Sequence, residues 1–416
     1  MYNNSADNTA PVKNTRGGEG NLQINVFRNS RGMPAEGANV YVIDQDSGKT
    51  IGEAKTDATG RVPPLTLTAP PLEYSLDPEA PRPFNQYDVT VSFPEYNEAI
   101  IKNVQIFPGC TSLQKVALVP AFSEVTIPYP VLWGDFEPKI PESAIKKLPF
   151  PDNLVVLPEP VIPELVVVHA GVPTNAAAAN YTVGFRDYVK NVASSEIYAT
   201  WPTETLRANI LAIISFTLNR VYTEWYRGKG YDFTITNSTA FDQAFTYGRN
   251  VYKEISDVVD EVFTTYISKE NINQPLFTQY CDGKAVQCDG WLSQWGSKYL
   301  GEDGYSSLQI LKNYYGYEIV LKQAKKVEGI PISFPGVLSI GSEGDSVRTI
   351  QHQLNVISGN YPLIPKLIED GVYGAKTEEA VKTFQGIFNL PVTGGVNFPT
   401  WYSISDIYVA VAKLAK

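Results

Sequence analysis

Glu196 and Glu204, eight residues apart within Ser194–Ala212, are the side chains in this sequence best suited to acid–base work. A general acid must hold its proton at the working pH, which requires a carboxyl desolvated enough to raise its pKa. Glu204 stands at the mouth of an apolar helical run with Arg207 one turn on, and a helix start favours carboxylate over acid. Glu196 has the more apolar neighbours in Ile197, Tyr198 and Trp201. Either glutamate could instead do no more than cap the helix. Asp232 and Asp242 are the further carboxylates available if the chemistry needs two.

The helix that must carry Glu204 is legible from spacing. Between Thr205 and Tyr226 the apolar residues Leu206, Ile210, Leu211, Ile214, Leu218, Val221 and Trp225 recur at three and four. Phe241–Ile267 predicts a second helix through Val251, Ile255, Val258, Val259, Val262, Phe263 and Tyr266. Its Gly248 is a weak point of about 1 kcal/mol relative to Ala. Upstream, Asn21 to Pro120 reads as β: Leu22-Gln23-Ile24-Asn25-Val26 and Tyr87-Asp88-Val89-Thr90-Val91 alternate as half-buried strands do. Between the two regions, prolines recur every few residues, as in Ile127-Pro128-Tyr129-Pro130 and Leu157-Pro158-Glu159-Pro160. Proline excludes a helix there, and Val155, Val156 and Val166–Val168 make the stretch too apolar for a free linker. The expectation is an extended strap packed on its neighbours, with turns open to a protease.

The chain has 416 residues, enough for two or three domains, and an ordinary globular mixture of 43% hydrophobic and 19% charged residues. A net charge of −10 argues against nucleic acid as a partner. No apolar secretory segment stands in Met1–Gly20, and the longest apolar stretch, Ile210–Leu218, is too short to span a membrane. The expectation is a protein made in a cytoplasm, without a signal peptide or membrane partner, that leaves only by an event other than secretion. Cys110, Cys281 and Cys288 are too few for a disulfide framework; Cys281 and Cys288 could pair, hold a metal or stay reduced.

The densest motif is C-terminal. It runs Gly341-Ser342-Glu343-Gly344-Asp345-Ser346-Val347, Ile350 to Asn355, Asp370-Gly371-Val372-Tyr373-Gly374, Ala380-Val381, Phe384-Gln385, Thr393-Gly394-Gly395-Val396 and Thr400-Trp401. Val347, Ile350 and Leu354 share one helix face, while Gly371 and Gly374 suit a tight turn with positive φ. This set resembles the type 1 peptidoglycan-binding domain, a three-helix module. The resemblance implies wall binding, with Asp370, Tyr373, Gln385 and Trp401 as candidate contacts.

The segment Ser194–Ala212, with Phe241-Asp242-Gln243 and Gln279-Tyr280-Cys281-Asp282-Gly283 downstream, resembles the stage II sporulation protein D family. Members of that family cleave glycan strands as lytic transglycosylases, which implies Glu204 or Glu196 as the acid and Gln243, Trp201 and Tyr198 as substrate contacts. Glu204 is preferred because it is fixed on the more rigid element. The chain lacks that family's metal-binding His and Cys pattern, its histidines being His169 and His352, so neither zinc nor another cofactor is expected. The order of segments is similar to that of the clostridial spore cortex-lytic enzymes. It implies cortex peptidoglycan as substrate, residence in the spore cortex or coat region, and a zymogen that an activating germination protease cuts. A non-catalytic wall scaffold and a muramidase with a second carboxylate remain as alternatives. The expected fold is multidomain α+β. It comprises a disordered start (1–20), a prealbumin-like β-sandwich with a pro- or regulatory role (21–120) and the proline-rich strap (121–173). A mainly helical α+β catalytic domain (174–333) and a small three-helix module (334–416) complete it.

Overall fold

Alternating side chains in β1 (Gly18–Arg28) bury Leu22, Ile24 and Val26 on one face of a two-sheet sandwich. A computed structural model describes residues 17–28, 32–120, 122–134, 136–137, 139, 157–329 and 334–414. Most of the expected disordered start and residues 140–156 of the strap lie outside them. In the first sheet β1 runs antiparallel to β4 (Leu65–Ala69) and parallel to β7 (Thr111–Leu118), with Asn21 opposite Thr111 and Arg28 opposite Leu118. The second contains β2 (Asn39–Asp44), β3 (Thr50–Lys55), β5 (Asn85–Ser92), β6 (Ala99–Ile106) and β8 (Ser123–Thr126), in the order β3-β2-β5-β6-β8. The strap therefore begins as an edge strand of the sandwich. β1 departs from the half-buried expectation, because Gln23 and Asn25 are buried as well. Gln23 accepts from Arg61 (2.8 Å), and Arg61 also reaches Asn389 of the C-terminal module (3.0 Å). A packed neighbour covers the polar face.

The strap's end belongs to the middle domain. β9 (Val161–Ile162) pairs with a later strand, and β10 (Leu165–His169) lies between β11 (Asn180–Gly184) and β12 (Ile235–Thr236). The boundary expected at 174 thus falls inside this sheet; Val166 and Val168 are core. α1 (Phe185–Glu196) and α2 (Thr203–Tyr222) follow. α2 is buried on nearly every side, so its polar residues Ser215 and Thr217 bond back to the carbonyls of Leu211 (2.7 Å) and Ile213 (2.9 Å).

The helix expected over Phe241–Ile267 is only partly present. β13 (Val251–Tyr252) adds to the free edge of β7, and α3 is confined to Lys253–Val262. Gly248 is left-handed (φ 83°), and side chains of other elements take the backbone donors before it. Ala244 N–H donates to Glu196 (2.8 Å), and Thr246 N–H donates to Asn191 (3.1 Å). Tertiary acceptors outcompeted the helical ladder. β14 (Thr265–Lys269) pairs with β17 (Ile319–Gln323), β15 (Tyr280–Cys281) with β16 (Leu292–Ser293), and β18 (Lys326–Val327) with β9. α4 (Gln294–Glu302) and α5 (Ser307–Tyr315) lie between.

The C-terminal module is α6 (Asp345–Ile357), α7 (Ala375–Ile387) and α8 (Phe398–Leu414). Val347, Ile350, Leu354, Ala380, Val381 and Phe384 fill its core. Gly371 has the expected positive φ (77°). Gly374 does not: at −97° it is extended backbone leading into α7.

Candidate active site

α1 ends at Glu196 because Ile197 turns extended (φ −131°, ψ 159°), and the glutamate is left inside the domain, 3% exposed. Oε1 accepts from the Ala244 amide (2.8 Å), while Oε2 makes no hydrogen bond among the described residues. The carboxyl borders a cavity of about 170 Å³ shared with Asp242, Tyr280, Asp282 and Gln294 of the middle domain and with Val131, Phe136, Glu137 and Lys139 of the strap. Burial raises the Glu196 pKa above the ordinary carboxylate range; the Lys139 ammonium, the Tyr280 hydroxyl and the Ala244 amide oppose it without cancelling it. Tyr280 OH is near enough to exert that pull, yet among the described residues neither it nor Oε2 has a hydrogen bond of good geometry.

Tyr280 is placed by β15 and by the disulfide that follows it, Cys281–Cys288, with 5.8 Å between Cα atoms. The loop so closed presents the Ala285 and Val286 amides to Asp282 (2.7 and 3.1 Å). Of the options open for these two cysteines, pairing is the one observed. Among the described residues no His, Cys, Asp and Glu cluster could hold a metal ion.

The preferred glutamate is elsewhere. The Glu204 side chain is 42% exposed, accepts from the Ser307 amide at the start of α5 (2.6 Å) and lies 3.4 Å from Arg207 Nε. Partial burial alone would raise its pKa, but the Ser307 amide and hydroxyl and the Arg207 guanidinium together hold it below the usual range. It is an ionised staple between α2 and α5, an environment that suits the carboxylate, whereas burial favours the protonated form at Glu196. Of the two candidates, desolvation favours Glu196 over the preferred Glu204.

Other expected contacts are also redistributed. Gln243 is fully buried, its oxygen accepting from Tyr188 (2.9 Å) and Thr217 (2.8 Å) and its nitrogen donating to Ile213 O (3.2 Å). Trp201 donates to Ser75 O of the sandwich (3.0 Å), and Tyr198 packs on Phe107 with centroids 5.2 Å apart. These three sit in the core or at the joint with the sandwich and do not line the cavity. Asp242 borders the cavity but is saturated by Arg220 (2.9 Å), Tyr226 (2.6 Å) and the Thr236 amide and hydroxyl (3.0 and 2.7 Å). Asp232 accepts from Asn180 at the surface and does not line the cavity.

In the C-terminal module only Asp370 of the four candidates is exposed, accepting from Val372 N–H (2.9 Å) and Gln351 (2.9 Å). Tyr373 is buried and donates to Gly394 O (2.8 Å); Gln385 binds Thr393, Gly394 and Gly395; Trp401 is fully buried. They build the fold instead of a surface. A shallow hollow that the motifs did not indicate lies between α6 and α8, bordered by Arg348, His352, Glu369 and Tyr408. Tyr280 lies within the Gln279–Gly283 motif, whereas no periodicity or motif singled out Lys139.

Residues 174–272 match the Stage II sporulation protein family, and residues 343–404 match a peptidoglycan binding domain. The first span contains Glu196. The two matches support a sporulation protein that acts on the cell wall, with peptidoglycan as a partner; the first family is associated with lytic activity on the wall. The structure of Klebsiella pneumoniae 5-hydroxyisourate hydrolase is similar at 21% identity over 24% of this chain and 84% of that one, with a TM-score of 0.16. No curated protein matches the sequence.

Proposed function

We propose that this wall-acting sporulation protein is a spore-cortex lytic transglycosylase in which Glu196 is both acid and base. The observation that carries the proposal is the buried Glu196 carboxyl of raised pKa, bordering a cavity and, among the described residues, hydrogen-bonded through one oxygen. Protonated Glu196 gives its proton to the glycosidic oxygen of the β-1,4 bond between N-acetylmuramic acid and N-acetylglucosamine. The C1–O bond breaks and positive charge develops at C1. The muramic acid 6-hydroxyl then attacks C1 and returns its proton to Glu196, which leaves a 1,6-anhydro end without consuming water.

A muramidase needs a second carboxylate able to act on water or on the sugar. Of the middle domain's other carboxylates on the cavity, Asp242 is committed to Arg220, Tyr226 and Thr236 and Asp282 accepts from the Ala285 and Val286 amides, which disfavours that alternative once the strap with Glu137 is cut away. A flat, solvent-facing glutamate pair would have favoured a scaffold; Glu196 is neither flat nor solvent-facing. Mass spectrometry of the soluble products of purified cortex tests the reading. Anhydro-muramic ends support it, reducing muramic ends point to the muramidase, and no release at all leaves the scaffold.

The domain order is similar to that of the clostridial spore cortex-lytic enzyme SleC. On that resemblance the protein resides in the cortex or coat region as a zymogen, and a germination protease is its activating partner. A disulfide at Cys281–Cys288 agrees with residence outside a reducing cytoplasm. Cutting the strap within about residues 121–160 should raise the rate of cortex turbidity loss, because strap residues border the Glu196 cavity. Equal activity in cut and uncut protein would remove the zymogen from the proposal. Truncation after about Pro335 should abolish sedimentation with cortex sacculi, because residues 343–404 match the peptidoglycan binding domain. The module shares one continuous core with the middle domain, so circular dichroism of the truncated protein checks that the remainder is folded. Undiminished sedimentation would place the wall affinity in another domain.

A further inference from the structure

One cation already lies against Glu196 in the intact chain. The Lys139 ammonium is 4.2 Å from the centroid of the Tyr280 ring and 4.5 Å from that of Phe216. It shares the Glu196 cavity and is itself buried from solvent. Aromatic faces carry negative quadrupole charge, and desolvation strengthens their hold on a cation. With a carboxyl alongside, this is an environment selected for positive charge, not for neutral sugar hydroxyls. On the proposed reaction, positive charge develops on the glycosyl carbon next to the acid.

We propose that Glu196, Tyr280 and Phe216 form a cation subsite for the oxocarbenium-like carbon of a glycan strand, and that Lys139 fills this subsite in the uncut chain. The inference rests on the reading of Glu196 as the acid. The strap is tied down close to the plug. Val131 N–H donates to the carbonyl of Ser195, one residue before the acid (2.8 Å), and Thr239 donates to the carbonyl of Glu137, two residues before Lys139 (2.7 Å). Withdrawal of the strap removes the ammonium and opens the subsite in one event. The plug thus imitates the charge of the transition state, not the shape of the sugar.

Uncut K139A is compared with uncut and strap-cut wild type on purified cortex peptidoglycan, with n-butylammonium and 1-butanol as probes. Uncut K139A should release muropeptides at least about tenfold faster than uncut wild type. Butylammonium should inhibit both K139A and the cut enzyme, and butanol at the same concentration should inhibit neither. An uncut K139A as inactive as uncut wild type, beside an active cut enzyme, overturns the plug and leaves the transglycosylase reading standing. Equal inhibition by butanol overturns the charge-selective subsite. If the cut enzyme releases nothing, the functional reading falls, and calorimetry of butylammonium with uncut K139A still decides the subsite: binding that E196Q abolishes supports it, and no binding overturns it.

Discussion

Glu196→Gln should lower glycan release by the cut enzyme about 10²- to 10⁴-fold, the usual contribution of a general acid–base group. The folded state should not weaken. A carboxyl whose pKa is raised on folding contributes most stability below its unfolded pKa, and that contribution is lost as pH rises through the folded value. At neutral pH the neutral amide avoids the cost of a buried charge, so the melting midpoint of the variant should equal or exceed that of wild type. Glu204→Gln should behave in the opposite way. It should spare the rate but loosen the α2–α5 contact, because the Ser307 amide loses an ionised acceptor. The wild-type rate should fall on the alkaline side with a midpoint above that of an ordinary glutamate, the direction set by burial of Glu196. A wild-type rate in Glu196→Gln ends the single-carboxylate mechanism. A larger loss in Glu204→Gln transfers the role.

Arg220→Met should produce the largest loss of stability. The Arg220 side chain is 1% exposed, and its Nε lies 2.9 Å from Asp242, which is fully buried. Its guanidinium also lies over the rings of Phe277 (4.6 Å) and Trp225 (4.7 Å). Removing one partner of a buried pair leaves the other charge uncompensated and costs about 3–5 kcal/mol. Activity should fall beyond the folded fraction, because the segment that Asp242 anchors carries the Ala244 amide that holds Glu196. Denaturant unfolding followed by circular dichroism checks the first effect. A loss below about 1 kcal/mol, the size of an average substitution, would mean that the pair is not what fixes this segment. Joint replacement by Arg220→Met and Asp242→Leu should recover only part of the loss, since the unpaired charge is gone but the buried Tyr226 hydroxyl and Thr236 amide lose their acceptor.

Local pattern determined much of this protein. Period-two alternation identified the strands around Leu22–Val26 and Tyr87–Val91, and three-and-four spacing identified α2, α6 and α7, because each element must turn one apolar face to a core. The glycines and polar turn residues of 370–374 and 393–396 marked the module, and Ser194–Ala212 narrowed the acid to two glutamates. What separates their environments is visible only in the tertiary structure. The sequence places both beside a helix, but desolvation depends on what packs from elsewhere: Ala244 and Tyr280 around Glu196, Ser307 and Arg207 around Glu204. The same holds for 241–250, the start of the expected helix, whose backbone donors go to acceptors on α1, and for Gln385 and Trp401, which the resemblance offered as contacts but whose atoms close turns and fill a core. Lys139 carried no local signal at all. Its meaning comes from an approach across more than fifty residues of chain, to a carboxyl and two rings that no spacing rule could have brought beside it.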